Sequence, residues 1–397
     1  MFNPYLLILC IGHLVVDLGQ GVLPIITPLL AQSLNLSYLQ VGTIALAFTL
    51  SSAIIQPVFG VLSDRFSMPW LMPVGLFLSG LGLALTGVVG NYEMLLVVVL
   101  LSGVGVAGFH PEGSKLAHFV SKEGRAGSSM AVFSVGGNIG FGLGPLLAIF
   151  ALSFSGMGSI HGVMIPGTLA ALLFLFFLPR FKNILKEKSA RKEDKKRAEG
   201  SSNKVAHLVL LILYVTVRSW IHSGLVYFIP FYFPAFKGIG GAEYLVSLFL
   251  IAGAVGTVLG GPFADRFGGR CGLLVSMIAS LLVIYPFIHL SGNWVFVLAF
   301  MAGLIIISTF STTVVFGQRL LPHNIGLASG LMLGFGVGMG SVGVTLLGAL
   351  ADSYGLPFTM NLISFLPVLG IILALALPDI RGGEPVRGVE ETLPQEA

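Results

Sequence analysis

Twelve apolar segments, each long enough to cross a bilayer as a helix, run almost without interruption along the chain. A spanning helix needs roughly 20 apolar residues. Strands of a membrane barrel are about ten residues long and alternate in polarity, unlike these segments. The sequence therefore predicts an all-α membrane protein with 12 transmembrane helices. The predicted spans are 5–30, 38–62, 69–90, 92–117, 127–150, 158–179, 205–234, 243–264, 270–291, 293–317, 325–350 and 356–378.

The small number of charged residues excludes a soluble fold. Of the 397 residues, 55% are hydrophobic and 10% are charged, against about 25% charged in an ordinary soluble domain. So few charges cannot cover the surface of a chain this long, and we infer that the surface faces lipid. A soluble enzyme is thereby excluded, and the sequence predicts no catalytic residues. Disorder over most of the chain is excluded by the high apolar content and a net charge of only +4.

The basic residues predict how the spans are oriented. Nineteen of the 21 Lys and Arg residues fall on one face of the predicted membrane domain, and the exceptions are Arg218 and Lys237. The densest basic run occupies 180–204. Because loops rich in Lys and Arg stay in the cytoplasm, this face is predicted to be cytoplasmic, together with both termini.

A motif at the end of the second span recurs 201 positions later. GVLSDRF contains Asp64 and Arg65, and GPFADRFGGR contains Asp265, Arg266 and Arg270. An internal repeat of this length is typical of transporters built from two related halves, which place the substrate site between them near the bilayer midplane.

The repeat predicts two pseudo-symmetric six-helix bundles joined by a charged segment. We expect an N-terminal bundle over 1–179 and a cytosolic basic linker over 180–204. A C-terminal bundle follows over 205–378, and a cytosolic tail over 379–397.

The repeated DRxG-type loop resembles the signature of the major facilitator superfamily. In that family the Asp caps a neighbouring helix and pairs with Arg when the cytoplasmic side is closed, which implies a gate role for five residues here. They are Asp64, Arg65, Asp265, Arg266 and Arg270.

Several longer segments resemble the fosmidomycin-resistance exporters within that superfamily. The resemblance implies the major facilitator fold and a proton-driven efflux pump of the bacterial inner membrane. Gly140-x-x-x-Gly144-Pro145 also resembles the superfamily's antiporter motif. The matching segments are HLVVDLGQGVLPIITPLL, SMPWLMPVG, FHPEGSKLA, VGGNIGFGLGPLLA and LLPHNIGLASGLMLGFGVGMG.

Two opposite charges lie near the middle of corresponding spans. Ionisable residues inside a bilayer are rare and mark functional sites. Asp17 lies in the first span with His13 one turn before it, and Arg218 lies in the seventh with His222 one turn after it. The repeat offset aligns Asp17 with Arg218. Either they form a static ion pair, or at least one of them serves in transport.

Further polar residues are candidates for a proton or substrate site. His110 and Glu112 flank Pro111 in the fourth span, where the proline frees a backbone carbonyl and favours a polar pocket. Glu112 either carries a proton there or anchors the helix end. Gln20 and Asn138 either line the cavity or form interhelical hydrogen bonds.

These features predict a secondary transporter that exchanges protons for a small amphipathic or anionic solute or drug by alternating access. The main alternative is a proton-coupled symporter that takes up a carboxylate nutrient, and a less favoured one is a membrane sensor that transports nothing. The predicted partners are a small-molecule substrate, protons and membrane lipid. No nucleic acid, cofactor or metal is expected, and the protein is expected to be a monomer.

Overall fold

The computed structural model describes residues 4–66, 68–120, 126–189, 205–321, 328 and 331–378, and most of these residues are helical. These ranges contain no strand, and the predicted all-α membrane fold is confirmed. The helices are α1 (Pro4–Leu34), α2 (Tyr38–Phe66), α3 (Leu71–Leu85), α4 (Tyr92–Phe119), α5 (Ala126–Ser155), α6 (Met164–Ser189), α7 (Val205–Tyr232), α8 (Ala242–Phe267), α9 (Gly269–His289), α10 (Trp294–Ile307), α11 (Phe310–Leu320), α12 (Gly336–Tyr354) and α13 (Leu356–Ala376).

Most of these helices meet the length and hydropathy that a bilayer requires. Within the described ranges, eight stretches qualify as candidate spans. One of them, Val132–Leu185, is 54 residues long and contains most of α5 and α6. Tyr38–Ala53 and Leu71–Leu85 are shorter apolar helices. The eleventh predicted span, 325–350, includes residues outside the described part of the chain.

The tenth span is two helices, although the sequence predicted one continuous helix. It breaks between α10 and α11, at Ser308 and Thr309. The hydroxyl groups of both residues donate to the carbonyl three positions earlier, at 2.7 Å for Ser308 and 3.4 Å for Thr309. Such local hydrogen bonds compete with the helix ladder.

The sixth helix continues to Ser189, past the predicted end of its span at 179. The extension is stabilised by packing, because Phe181 and Leu185 are both fully buried. The apolar face of the helix therefore runs on into the segment that the sequence assigned to the linker. The rest of that linker, 190–204, lies outside the described residues, as does the predicted tail.

Helices of each half pack mainly with one another. In the first half α1 packs on α5, and α4 packs on α2 and α3. In the second half α8 packs on α10, and α13 packs on α7 and α9. The two halves meet chiefly along α2 with α12 and along α5 with α8, and α1 also contacts α7.

Glycines on α5 bring its backbone against that of α1. A Cβ atom at Gly136, Gly140 or Gly144 would overlap a carbonyl oxygen of α1. Small residues spaced four apart are what close helix packing in a membrane requires. The tight α1–α5 contact fixes the depth and rotation of α1, which carries Asp17.

A carboxylate of one half caps a helix of the other. Asp352, near the end of α12, accepts hydrogen bonds from the backbone N–H groups of Tyr38 and Leu39, each at 2.8 Å. These are the first residues of α2, where unpaired N–H groups and the helix dipole favour an anion. Deeper along the same seam, the hydroxyl groups of Thr49 and Ser341 lie 2.5 Å apart. No sequence pattern had marked Asp352 for this role.

Replacing Asp352 should loosen this seam. Asp352→Ala removes both acceptors and should lower the free energy of unfolding by about 1 kcal/mol, whereas Asp352→Asn keeps one acceptor and should cost less. Ser353→Ala is the matched control, because the Ser353 hydroxyl bonds only within its own helix, to the carbonyl of Ala349. Thermal denaturation of the three purified variants measures the difference. Equal melting temperatures for Asp352→Ala and Ser353→Ala would contradict the capping role.

Candidate functional site

A buried acid–imidazole pair lies on α1. His13 and Asp17 are each 8% exposed, and His13 Nε2 lies 3.2 Å from Asp17 Oδ2. The spacing of four residues places them on the same face of the helix. Gln20, one turn further on, donates its amide to Asp17 Oδ1 at 2.6 Å. The structure thus brings together three residues that the sequence proposed.

His110 of α4 completes this cluster. Its Nε2 lies 3.3 Å from Asp17 Oδ1, and its ring meets the His13 ring edge-on with centroids 4.9 Å apart. Each oxygen of the Asp17 carboxylate therefore faces one imidazole. His110 was predicted to share a polar pocket with Glu112, and the fold places it against Asp17.

Backbone carbonyls fix the orientation of both imidazoles. His13 Nδ1 lies 2.7 Å from the carbonyl oxygen of Phe133 on α5, and His110 Nδ1 lies 2.9 Å from that of Val106. A carbonyl oxygen only accepts hydrogen bonds, so each Nδ1 carries its hydrogen and each Nε2 is directed at the carboxylate. The His13 ring also stacks on Phe133, with centroids 4.1 Å apart.

The chemistry of this cluster suits protons. Its ligand atoms all lie within 4.8 Å of one another, and two imidazoles with a carboxylate form a set that zinc accepts. A structural zinc site takes four ligands, and no fourth His, Cys, Asp or Glu of the described residues joins the group. The two Nε2···O separations, 3.2 and 3.3 Å, lie at the long end of hydrogen-bond distances. We therefore interpret the cluster as a proton site.

Glu112 lies outside that group, although it is only two residues from His110. Its side chain is fully buried, and Oε1 accepts a hydrogen bond from the backbone N–H of Met68 at 2.8 Å. Met68 belongs to the connection between α2 and α3. Of the two roles that the sequence left open for Glu112, this contact favours an anchoring role, in which Glu112 holds the connection that follows the first gate motif.

A second buried charge lies in the other half. Arg218 of α7 is 5% exposed, and its Nη1 makes long contacts with the hydroxyl oxygens of Thr309, at 3.5 Å, and Thr313, at 3.3 Å. The guanidinium carbon lies 5.5 Å from the centroid of the Phe310 ring. No carboxylate of the described residues forms an ion pair with Arg218. The direct pairing with Asp17 that the repeat offset suggested is therefore not formed.

The hydroxyl groups around Arg218 come from the break in the tenth span and from the first turn of α11, and this break was not predicted from the sequence. A signal was present, because five of the six residues from 308 to 313 are Ser or Thr in an otherwise apolar span. Polar residues at an interrupted helix are a common way to build a site at membrane depth.

His222 and Asn138 each lie close in sequence to one of the two sites. His222 follows Arg218 by one turn and is half-buried. Its ring centroid is 6.2 Å from that of Phe141 on α5 and 5.6 Å from that of Phe249 on α8. Asn138 is half-buried on α5, directly after the glycine that contacts the His13–Asp17 pair. Both remain candidates for contact with a transported solute.

The predicted gate residues are described only in part. The side chains of Asp64, Arg65 and Asp265 lie outside the described part of the structure. Arg266 is exposed, with its guanidinium carbon 5.3 Å from the centroid of the Phe267 ring. Arg270 donates to the carbonyl oxygen of Leu375 at 2.6 Å, a cation against the C-terminal end of α13. The gate role of the five residues stays a prediction.

The chain belongs to the major facilitator superfamily. The model of that family matches residues 9–344. The chain is therefore a multi-pass membrane transporter of small molecules, and the family to which it belongs consists of transporters rather than enzymes.

Two relatives and one solved structure are similar over nearly the whole chain. The fosmidomycin resistance protein of Escherichia coli (strain K12) is 34% identical over 94% of this chain and 92% of its own length. An uncharacterised MFS-type transporter of Bacillus subtilis (strain 168) is 37% identical over 94% of this chain and 93% of its own length. The fold is that of a bacterial homologue of the human lysosomal transporter Spinster, with a TM-score of 0.75 at 14% identity over 94% of this chain and 97% of that one.

The packing of Gly137 against the cluster yields a sharp test. A Cβ atom there would overlap His13 Nε2 and lie 2.6 Å from Asp17 Oδ2. Gly137→Ala should therefore displace the His13–Asp17 pair and abolish transport driven by a pH gradient. Gly162→Ala is the control, because a Cβ there meets nothing within 4 Å. The assay is pH-driven uptake by inverted membrane vesicles, with the amount of folded protein measured in parallel. Full transport in Gly137→Ala would show that the cluster geometry is not needed.

Proposed function

We propose that the protein is a proton-coupled antiporter that exports a small amphipathic or anionic solute across the bacterial inner membrane by alternating access. The proposal rests above all on one arrangement of charge. A carboxylate bracketed by two imidazoles lies in the first half, and an arginine without an acidic partner among the described residues lies in the second. The first suits protons and the second suits an anion.

Asp17 is our candidate for the coupling residue. It is the acid at the centre of the buried cluster, with an imidazole against each oxygen. Proton binding or release in the cluster around Asp17 changes a charge inside the membrane, which is costly unless the surroundings rearrange. That cost links the protonation of the cluster to movement of the halves.

Arg218 is our candidate for binding the solute. A charged side chain at the centre of a membrane helix costs on the order of 3 kcal/mol, and two long contacts to hydroxyl groups compensate for little of this. The guanidinium carries five N–H groups in a planar fork, which suits a carboxylate or a phosphonate. Fosmidomycin is a phosphonate, and a relative that is 34% identical is named for resistance to it.

The packing between the halves supports alternating access. The contacts of α2 with α12 include Asp352 and Tyr38, near the connections that follow the first and eleventh spans. Those connections lie on the face opposite to the basic one. We propose that the basic face, with both termini, is cytoplasmic. The described contacts therefore join the halves on the non-cytoplasmic side, and export requires this seam to part.

The coupling role predicts a specific defect for Asp17→Asn. The variant keeps the size of the side chain but cannot ionise, so it should fail to concentrate fosmidomycin under a pH gradient in proteoliposomes. Binding should survive, because Arg218 is untouched, and thermal stabilisation by fosmidomycin would report it. Glu112→Gln is the comparison, and it should keep most of the gradient-driven flux because Glu112 lies outside the cluster. Concentrative transport by Asp17→Asn would refute the assignment.

The binding role predicts a loss of affinity in Arg218→Lys. Lysine keeps the charge but not the bidentate fork, so fosmidomycin should bind more weakly by about 1–3 kcal/mol, the size of a charge-assisted hydrogen bond. Arg180→Lys, on the exposed end of α6, is the matched control. Titration calorimetry and melting temperatures of the two variants separate binding from folding. Unchanged affinity in Arg218→Lys would exclude Arg218 from the solute site.

A further inference from the structure

We infer that the cluster formed by His13, Asp17 and His110 takes up two protons, so that two protons are exchanged for each solute. The inference rests on the proposed antiport and adds its stoichiometry. It follows from counting the hydrogens that the four N···O contacts of the two imidazoles require.

Every ring nitrogen in the cluster faces an oxygen that accepts. Each Nδ1 faces a backbone carbonyl, at 2.7 Å for His13 and 2.9 Å for His110. Each Nε2 faces one oxygen of Asp17, at 3.2 Å for His13 and 3.3 Å for His110. Each of the four contacts needs one hydrogen. Two neutral imidazoles supply two, and the carboxylate of Asp17 supplies none.

Two further protons supply the hydrogens that the remaining two contacts need. With fewer than two, at least one of the four N···O contacts has no hydrogen. With one proton missing, a nitrogen lone pair of one imidazole points at a lone pair of Asp17 across a buried contact. Such an unpaired arrangement is unfavourable in a site of low dielectric constant. The compact cluster is therefore the doubly protonated one, and its net charge changes from −1 to +1 as it loads. Gln20 donates to Asp17 in either state and carries no charge.

The surrounding helices present few other groups that titrate. On α1 the nearest is Cys10, whose Sγ lies 3.4 Å from the carbonyl oxygen of Val132. α3 and the described side chains of α5 include no ionisable residue. On α4, Glu112 bonds to Met68, and α7 contributes Arg218 and His222. The two protons are thus assigned to the cluster itself.

The stoichiometry can be measured from the reversal point, which is the pH difference at which net flux of the solute stops. Proteoliposomes are loaded with a tenfold gradient of fosmidomycin, and the membrane potential is held at zero with valinomycin and equal potassium. Alkaline solutions keep the phosphonate fully ionised, so that fosmidomycin carries no proton itself. The pH difference that stops net flux should be about 0.5 unit for two protons and about 1 unit for one.

Variants assign the protons to the imidazoles. His110→Gln and His13→Gln each keep an amide N–H that can reach Asp17 but lose one titrating ring, so each should move the reversal point from about 0.5 to about 1 unit. His161→Gln is the control, because that ring is exposed and bonds only to the carbonyl of Gly158, at 2.8 Å. It should leave the reversal point where the wild type has it.

The possible outcomes separate this inference from the proposed function. A wild-type reversal point near 1 unit would overturn the two-proton count while leaving proton antiport in place. Flux that no pH difference can stop would refute antiport as well. If a histidine variant fails to reconstitute, the wild-type value still decides. A wild-type value near 0.5 that neither histidine variant shifts would place the second proton elsewhere and overturn the assignment.

Discussion

A carboxylate buried among apolar helices must be compensated where it lies, and much of the first half is arranged around this requirement. Asp17 meets His13 from its own helix, His110 from α4 and the amide of Gln20. Those contacts need α1 and α4 at the same depth, and they need α5 close enough to orient His13 through the carbonyl of Phe133. The glycines of α5 provide that proximity, because side chains in their place would hold α1 away.

The second half answers the same requirement in a different way. Arg218 occupies the position that the repeat aligns with Asp17, but it is surrounded by hydroxyl groups and an aromatic ring instead of a counter-ion. Duplication followed by divergence has left opposite charges at equivalent places, each with its own surroundings. The second half therefore carries a buried arginine, and the first half carries an imidazole–carboxylate cluster.

Much of this architecture could be predicted from sequence, because bilayer thickness fixes the length of a spanning helix and each span therefore shows as an apolar run of that length. The pairing of His13 with Asp17 could also be predicted, because residues four positions apart lie on the same face of a helix. The contact of His110 with Asp17 was not, because it depends on how α1 and α4 are rotated against each other. The break at Ser308 and Thr309 was missed because the span remains apolar overall, although five of the six residues from 308 to 313 are Ser or Thr. The role of Asp352 depends on a partner more than 300 residues away.

Among the described residues, the other seam has no equivalent of the cap that Asp352 places on α2. The repeat offset aligns Asp352 with Ala151 of α5, which has no acceptor in its side chain. There the described bond joins the hydroxyl of Ser247 to the carbonyl of Gly142, at 2.7 Å. A charged side chain therefore joins α12 to α2, whereas a neutral hydrogen bond joins α8 to α5. Two seams of unequal strength do not part together, so the α5–α8 seam should separate before the α2–α12 seam does.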